Sequence, residues 1–190
     1  MSILKKTLSK TAICALTAAI ALGGYHAQAA ETVNSSASAT VQNTFTFTEV
    51  APLSFGTITA VGDSAPNTAA TYQVDSAGAT TVTDGDNAAR MIIVSAATVG
   101  SYTIAGAAPT ANITLTLPAS TTLTCVPCGG GNATFAVTNL DPSSTTTVTT
   151  DGAGAAAFTL GGTLETVLDP ANTTYADGAY SGTAAIVANY

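Results

Sequence analysis

Cys125 and Cys128, in the stretch CVPC, come nearest to a chemical motif in this chain. A C-x-x-C pair that opens a helix has a lowered thiol pKa and exchanges disulfides. The flanks here argue otherwise. TLTC before and GGGN after read as a strand running into a loop, so no helix N-terminus stabilises a thiolate. A structural zinc site wants four ligands. Beyond residue 30 the chain offers two cysteines and no histidine. The reading that fits is a small Cys125–Cys128 disulfide clamping a hairpin tip in an oxidising compartment. So short a closed loop gives little entropic stabilisation, so its effect is local.

The acids come next. Asp84-Gly85-Asp86-Asn87 clusters oxygens that could hold calcium, but it lacks the twelve-residue loop and terminal Glu of an EF-hand. Asp, Gly and Asn are also the commonest turn formers. Asp63, Asp75, Asp141, Asp151, Asp169 and Asp177 all stand in such turn contexts, where a carboxylate caps backbone N–H groups. No G-x-S-x-G elbow is present, and the single histidine, His26, lies in the leader. The chain has no Trp to stack a sugar. The expectation is a non-enzymatic chain without cofactor or metal.

The first residues read as an address. Lys5, Lys6 and Lys10 make a basic n-region, TAICALTAAIALGG an apolar h-region, and Ala27-Gln28-Ala29 a cleavage signal. Residues 1–29 are thus expected to be a cleaved signal peptide, and the protein to be exported to the periplasm, cell surface or medium. Cys14 is preceded by Ile13 rather than by a small residue, which argues against a lipoprotein. No second hydrophobic stretch follows, so no membrane insertion is expected. After cleavage Arg90 is the one remaining base against eleven acids, a net charge of 1 − 11 = −10. Such a chain lacks the clustered cations that nucleic acid requires.

The remaining stretch is rich in Ala, Thr, Gly and Val, shows no helical periodicity, and repeats Thr-x-Thr and Val-x-Thr patterns. The class is all-β. From Val33 to Phe47 odd positions are mostly apolar and even positions polar, the period of a strand with one wet face. The run is long for one strand. It divides into an N-terminal extension, residues 30–43, and a first domain strand around Thr44–Val50. Short strands with turn chemistry follow: LSFGTITAV, a TYQV–DSAG–TTVT hairpin, RMIIVSA, GSYTIAG, NITLTLP, TTLT, ATFAVTNL, TTTVTT, and AAFTLGGTLETV as two strands kinked at Gly161-Gly162. Roughly ten short antiparallel strands over 44–190 suggest one immunoglobulin-like β-sandwich.

The chain ends on GAYSGTAAIVANY, where most chains fray. Tyr180, Ala184, Ile186, Ala188 and Tyr190 fall on one face, and Ala185 and Val187 on the other. Both faces are apolar, so the segment is expected inside a sheet. Upstream, the small apolar knobs Val33, Ala37, Ala39 and Val41 form a strand outside the domain, a liability unless a groove receives it. One mechanism accounts for both ends. A sandwich lacking a strand exposes a groove beside its C-terminal strand, and the next subunit's extension fills it by β-augmentation. Such head-to-tail contacts propagate into a fibre.

APLSFGTI, SYTIAG, ITLTLP, FTLGGTL and YSGTAAIVANY resemble the bacterial secreted domain DUF4402. More distantly, the FG after the first strand and the C-terminal Y-x-G…Y are similar to spore-coat-U-type and other chaperone–usher pilins. That resemblance implies an incomplete sandwich polymerised by donor-strand exchange, with a periplasmic chaperone and an outer-membrane usher as partners. The cysteines depart from it, since pilin disulfides bridge distant strands. The expectation is a secreted structural fibre subunit that self-associates. The alternative is a monomeric secreted or surface binding module, and a carbohydrate-active or redox enzyme is the weaker rival.

Overall fold

The computed structural model of the chain describes residues 35–41, 44–62, 68–85, 89–126, 128, 133–167 and 174–190. Residues 1–34, among them the expected signal peptide and Val33, lie outside these residues, as do Asp86 and Asn87. The chain divides into two units, Met1–Thr40 and Val41–Tyr190. In residues 35–40 no strand forms, and Ala37 and Ala39 are exposed. Val41, the first residue of the larger unit, is 79 % exposed. Over residues 35–41 the alternation seen in the sequence is therefore not a strand in the chain by itself, because a strand forms only when a neighbour supplies the ladder.

Among the described residues there is no helix, and so none long and apolar enough to cross a membrane. Thirteen strands form: β1 (Thr46–Ala51), β2 (Ile58–Val61), β3 (Thr71–Val74), β4 (Thr80–Thr83), β5 (Arg90–Ile93), β6 (Gly100–Ala105), β7 (Asn112–Thr116), β8 (Ser120–Cys125), β9 (Phe135–Pro142), β10 (Thr147–Thr149), β11 (Ala156–Thr166), β12 (Tyr180–Ser181) and β13 (Val187–Asn189). All pairings are antiparallel. The large sheet runs β1-β6-β11-β9-β8-β12, with β3 added to β11 and β4 to β3. A three-stranded sheet, β10-β7-β13, and a ribbon, β2-β5, complete the β-sandwich.

β11 organises the large sheet. AAFTLGGTLET is one strand of eleven residues, not two strands kinked at the glycines. Its first half pairs with β6 and its second half with β3, while β9 runs along its other side. The kink expected at Gly161-Gly162 is absorbed by register. Two residues of β9, Asn139 and Leu140, stand opposite Gly162, and Asn139 takes a positive φ of 47°. That is a bulge, and Asn tolerates the left-handed region better than most residues.

Each half of the large sheet carries its own core. Tyr102, Ile104, Phe158 and Leu160 pack with Ile113, Leu115 and Val148 of the three-stranded sheet. Tyr72, Val74, Val137 and Leu164 pack with Phe55 and Met91 from the ribbon side. Leu140 packs against both clusters. At roughly 1.5–3 kcal/mol for each fully buried large apolar side chain, these clusters are the main stabilising force.

The β3–β4 hairpin and the turn before β11 share one device, spelled Asp-x-Ala-Gly-Ala. Asp75 Oδ1 accepts hydrogen bonds from the N–H groups of Ala77 and Ala79 at 2.9 and 2.7 Å. Asp151 Oδ1 does the same for Ala153 and Ala155 at 2.8 and 2.9 Å. Gly78 and Gly154 hold φ of 88° and 75°, a conformation open to Gly at no steric cost. In both turns the Asp N–H donates to the carbonyl four residues on, at 2.9 and 2.8 Å. Backbone N–H donation, first from Ala155 and then from Ala153, holds the Asp151 carboxyl below the usual range.

Candidate functional site

The C-terminal run does not behave as one interior strand. Tyr180 and Ser181 pair with Cys125 and Thr124 of β8, at the end of the large sheet. Val187–Asn189 pair with β7 in the other sheet. The residues between cross from one layer to the other. Among the described residues β13 pairs with β7 alone, so it is an edge strand there rather than an interior one. From Ala184 to Ala188 exposure alternates, with Ala184, Ile186 and Ala188 half-buried and Ala185 and Val187 exposed. The sequence pattern misled because Ala and Val are small enough to stand in solvent at little cost. An apolar residue facing water is not by itself informative.

Among the described residues, Thr183, Ala184 and Ala185 make no backbone hydrogen bond. Thr183 and Ala184 lie on the rim of a groove of about 1050 Å³. Tyr102, Leu160, Leu164 and Val137, on the inner face of the large sheet, line the groove. Leu53 to Ala60 line it on the β2 side, and Tyr175 to Thr183 with Ala184 and Ile186 on the other. Among the described residues β2 pairs with β5 alone. The groove thus lies between β2 and the 175–186 segment, over the inner face of the large sheet.

Three tyrosines shape this groove, and each hydroxyl has a partner. Tyr102 donates to Glu49 Oε1 at 3.4 Å. Burial, then the neighbouring carboxylate, pushes its phenol up to about 12. Tyr175 donates to the Thr134 carbonyl at 3.0 Å and accepts from the Val167 N–H at 3.1 Å. Burial pushes it to about 12 as well. Tyr180 donates to the Ala176 carbonyl at 3.2 Å, and burial raises its pKa also. The rings of Tyr175 and Tyr180 pack on Phe135 at centroid distances of 4.2 and 5.0 Å, one stacked and one edge-on. These phenols favour the neutral form and present an apolar, hydrogen-bonded surface.

The other candidates separate from the groove or fall on its margin. Cys125 and Cys128 form a disulfide with Cα atoms 5.5 Å apart, as the strand-into-loop context suggests. Tyr190 is not among the groove-lining residues; it packs against Phe45 instead. Asp84 is described, but Asp86 and Asn87 of the DGDN cluster are not. Among the described residues no three His, Cys, Asp or Glu side chains gather as a metal site. Asp75 and Asp151 are turn caps, and Glu165 Oε1 accepts from Thr138 Oγ1 at 2.6 Å. Sequence reasoning missed Tyr102, Glu49 and Tyr175. Glu49 carried a signal, because it continues the inward row of Phe45 and Phe47 with a charge where an apolar residue was due.

The model of a domain of unknown function, DUF4402, matches residues 45–190. The chain belongs to the DUF4402 family. The match begins at Phe45, where the first strand of the sandwich is about to start, and runs to Tyr190. It therefore takes in every described strand and the groove and leaves residues 30–43 outside. No curated protein and no solved structure matches the chain.

Proposed function

We propose that this protein is an exported structural subunit of a surface fibre, polymerising when residues 30–43 of one copy fill the groove of the next. One observation carries the reading: Thr183–Ala185, a stretch that makes no backbone hydrogen bond among the described residues, runs beside a groove lined by Tyr102, Leu160, Leu164 and Val137. A β-strand laid there pairs with the open edge and buries its apolar side chains against Tyr102, Leu160 and Val137. The extension has the matching pattern, with Val33, Ala37, Ala39 and Val41 on one face and Ser36, Ser38, Thr40 and Gln42 on the other. It carries no charge from Thr32 to Thr44, so its burial strands no unpaired ion. A signal peptide over 1–29 and assembly partners of the periplasmic chaperone and outer-membrane usher kind belong to the same reading. The immunoglobulin-like description does too.

The odd and even faces of the extension give the test. Val41→Asp and Ala39→Asp should abolish polymers and leave monomers on a sizing column. Ser38→Asp and Thr40→Asp should not. Equal behaviour of the two faces would sink strand donation.

The second reading is a monomeric binding module. It draws on the Glu49–Tyr102 pair at the groove, since small-molecule sites combine an apolar lining with a few placed polar groups. A wild-type chain that stays monomeric at high concentration, with an extension protected in its own domain, would favour it.

A further inference from the structure

The groove wall on the C-terminal side rests against the disulfide. We infer that the Cys125–Cys128 disulfide is the seat of that wall, so that its reduction by a dithiol loosens residues 176–182 and weakens acceptance of the donated strand. The second half of this statement rests on the strand-donation reading; the first does not.

Four contacts carry the inference. Gly178 lies on the two sulfurs so closely that a methyl group there would come within 2.7 Å of Cys125 Sγ and nearer still to Cys128 Sγ. Cys128 Sγ is 3.5 Å from the carbonyl oxygen of Asp177. The Val126 N–H donates to the Ala179 carbonyl at 3.3 Å. Tyr180 stands opposite Cys125 in the short β8–β12 ladder. Asp177, Gly178, Ala179 and Tyr180 all line the groove. On the flanks the wall is fixed by the Tyr175 and Tyr180 rings on Phe135. Between those rings, Asp177, Gly178 and Ala179 are exposed and lean on the disulfide. β12 has only two residues, so its ladder alone is a weak hold.

The chemistry is ordinary exchange. A thiolate of the dithiol attacks one cysteine sulfur, and the S–S bond breaks as a mixed disulfide forms. The second thiol of the reductant closes its own ring and releases Cys125 and Cys128 as thiols, with two electrons and two protons passing from reductant to protein. Two thiol sulfurs must then separate to van der Waals distance. The space over Gly178 cannot take them up, so the 177–179 backbone has to move. Both cysteines are half-buried rather than enclosed, so a small dithiol reaches them.

The test uses the full chain carrying Val41→Asp, which does not fill its neighbours, with and without a dithiol. Amide exchange should speed up at 176–182 on reduction and stay unchanged in β6 and β11. A fluorescent peptide of residues 31–43 should bind the reduced form about tenfold more weakly or worse, since a loosened wall must be ordered on binding. The Cys125→Ser/Cys128→Ser chain should behave as the reduced one with a nearly unchanged Tm. Gly178→Ala should weaken the peptide with the disulfide intact. Unchanged exchange at 176–182 would overturn the inference outright. Faster exchange with equal peptide affinity in both states would overturn its effect on strand acceptance. Faster exchange with no peptide binding in either state would uphold the seat and overturn strand donation.

Discussion

The ring of Phe45, just before β1, meets the ring of Tyr190, the last residue, edge to face with centroids 5.3 Å apart and planes at 83°. The Tyr190 hydroxyl also accepts a hydrogen bond from the Ala108 N–H at 3.0 Å. The last side chain thus ties the entry of the first strand to the β6–β7 loop.

Tyr190→Ala removes both contacts. An edge-to-face pair adds about 0.5–1.5 kcal/mol beyond its area, and a hydrogen bond about 0.5–1.5 kcal/mol. Tyr190 is 48 % exposed, so the expected loss is about 1–2 kcal/mol. Tyr190→Phe keeps the ring and should lose less than half of that. Urea melts with unchanged m-values check both. A Phe variant as unstable as the Ala variant would place the stabilisation in the hydroxyl instead.

Gly152 and Gly154 sit two residues apart in the same turn and should respond oppositely to alanine. A methyl group on Gly152 meets nothing within 4 Å, so Gly152→Ala should be neutral or mildly stabilising through the unfolded chain. Gly154 has a φ of 75°, and a methyl group there would strike the Ala107 carbonyl. Its left-handed backbone alone costs an alanine about 1–2 kcal/mol, and the clash adds to that. A thermal melt of the two variants side by side decides it.

Tyr102 and Tyr175 hold their protons up to about pH 12 in the folded chain, against an ordinary value near 10. In that window the unfolded chain has already released protons that the folded chain keeps. The stabilisation is therefore complete below pH 10 and lost as pH rises from 10 to 12. Stability should fall through this range, and Tyr102→Phe and Tyr175→Phe should each flatten the fall. Melting temperatures at half-unit steps of pH measure it. A wild-type curve that stays flat to pH 12 would contradict the burial of these phenols.

Much of the fold was legible because it depends on local chemistry. The TYQV–DSAG–TTVT hairpin follows from a capping Asp and a turn Gly, and the structure repeats that device at Asp151. The CVPC disulfide follows from a strand running into a glycine loop, a context in which a helical thiolate cannot form. The all-β class follows from β-branched residues at period two and from the lack of any helical stripe. Other features depend on which strand each residue meets, and period two does not encode a partner. AAFTLGGTLET becomes one strand because β9 supplies an extra residue, at Asn139 and Leu140, that takes up the irregularity at the glycines. YSGTAAIVANY divides because Tyr180 finds β8 in one sheet while Val187 finds β7 in the other. Tyr102, Glu49 and Tyr175 converge on the groove from separate parts of the chain, and no local pattern records that meeting. The sequence alone determined where strands and turns lie, because propensity and capping act within a few residues. Only the tertiary structure decided which edges stay open, because an edge is defined by the partner it lacks.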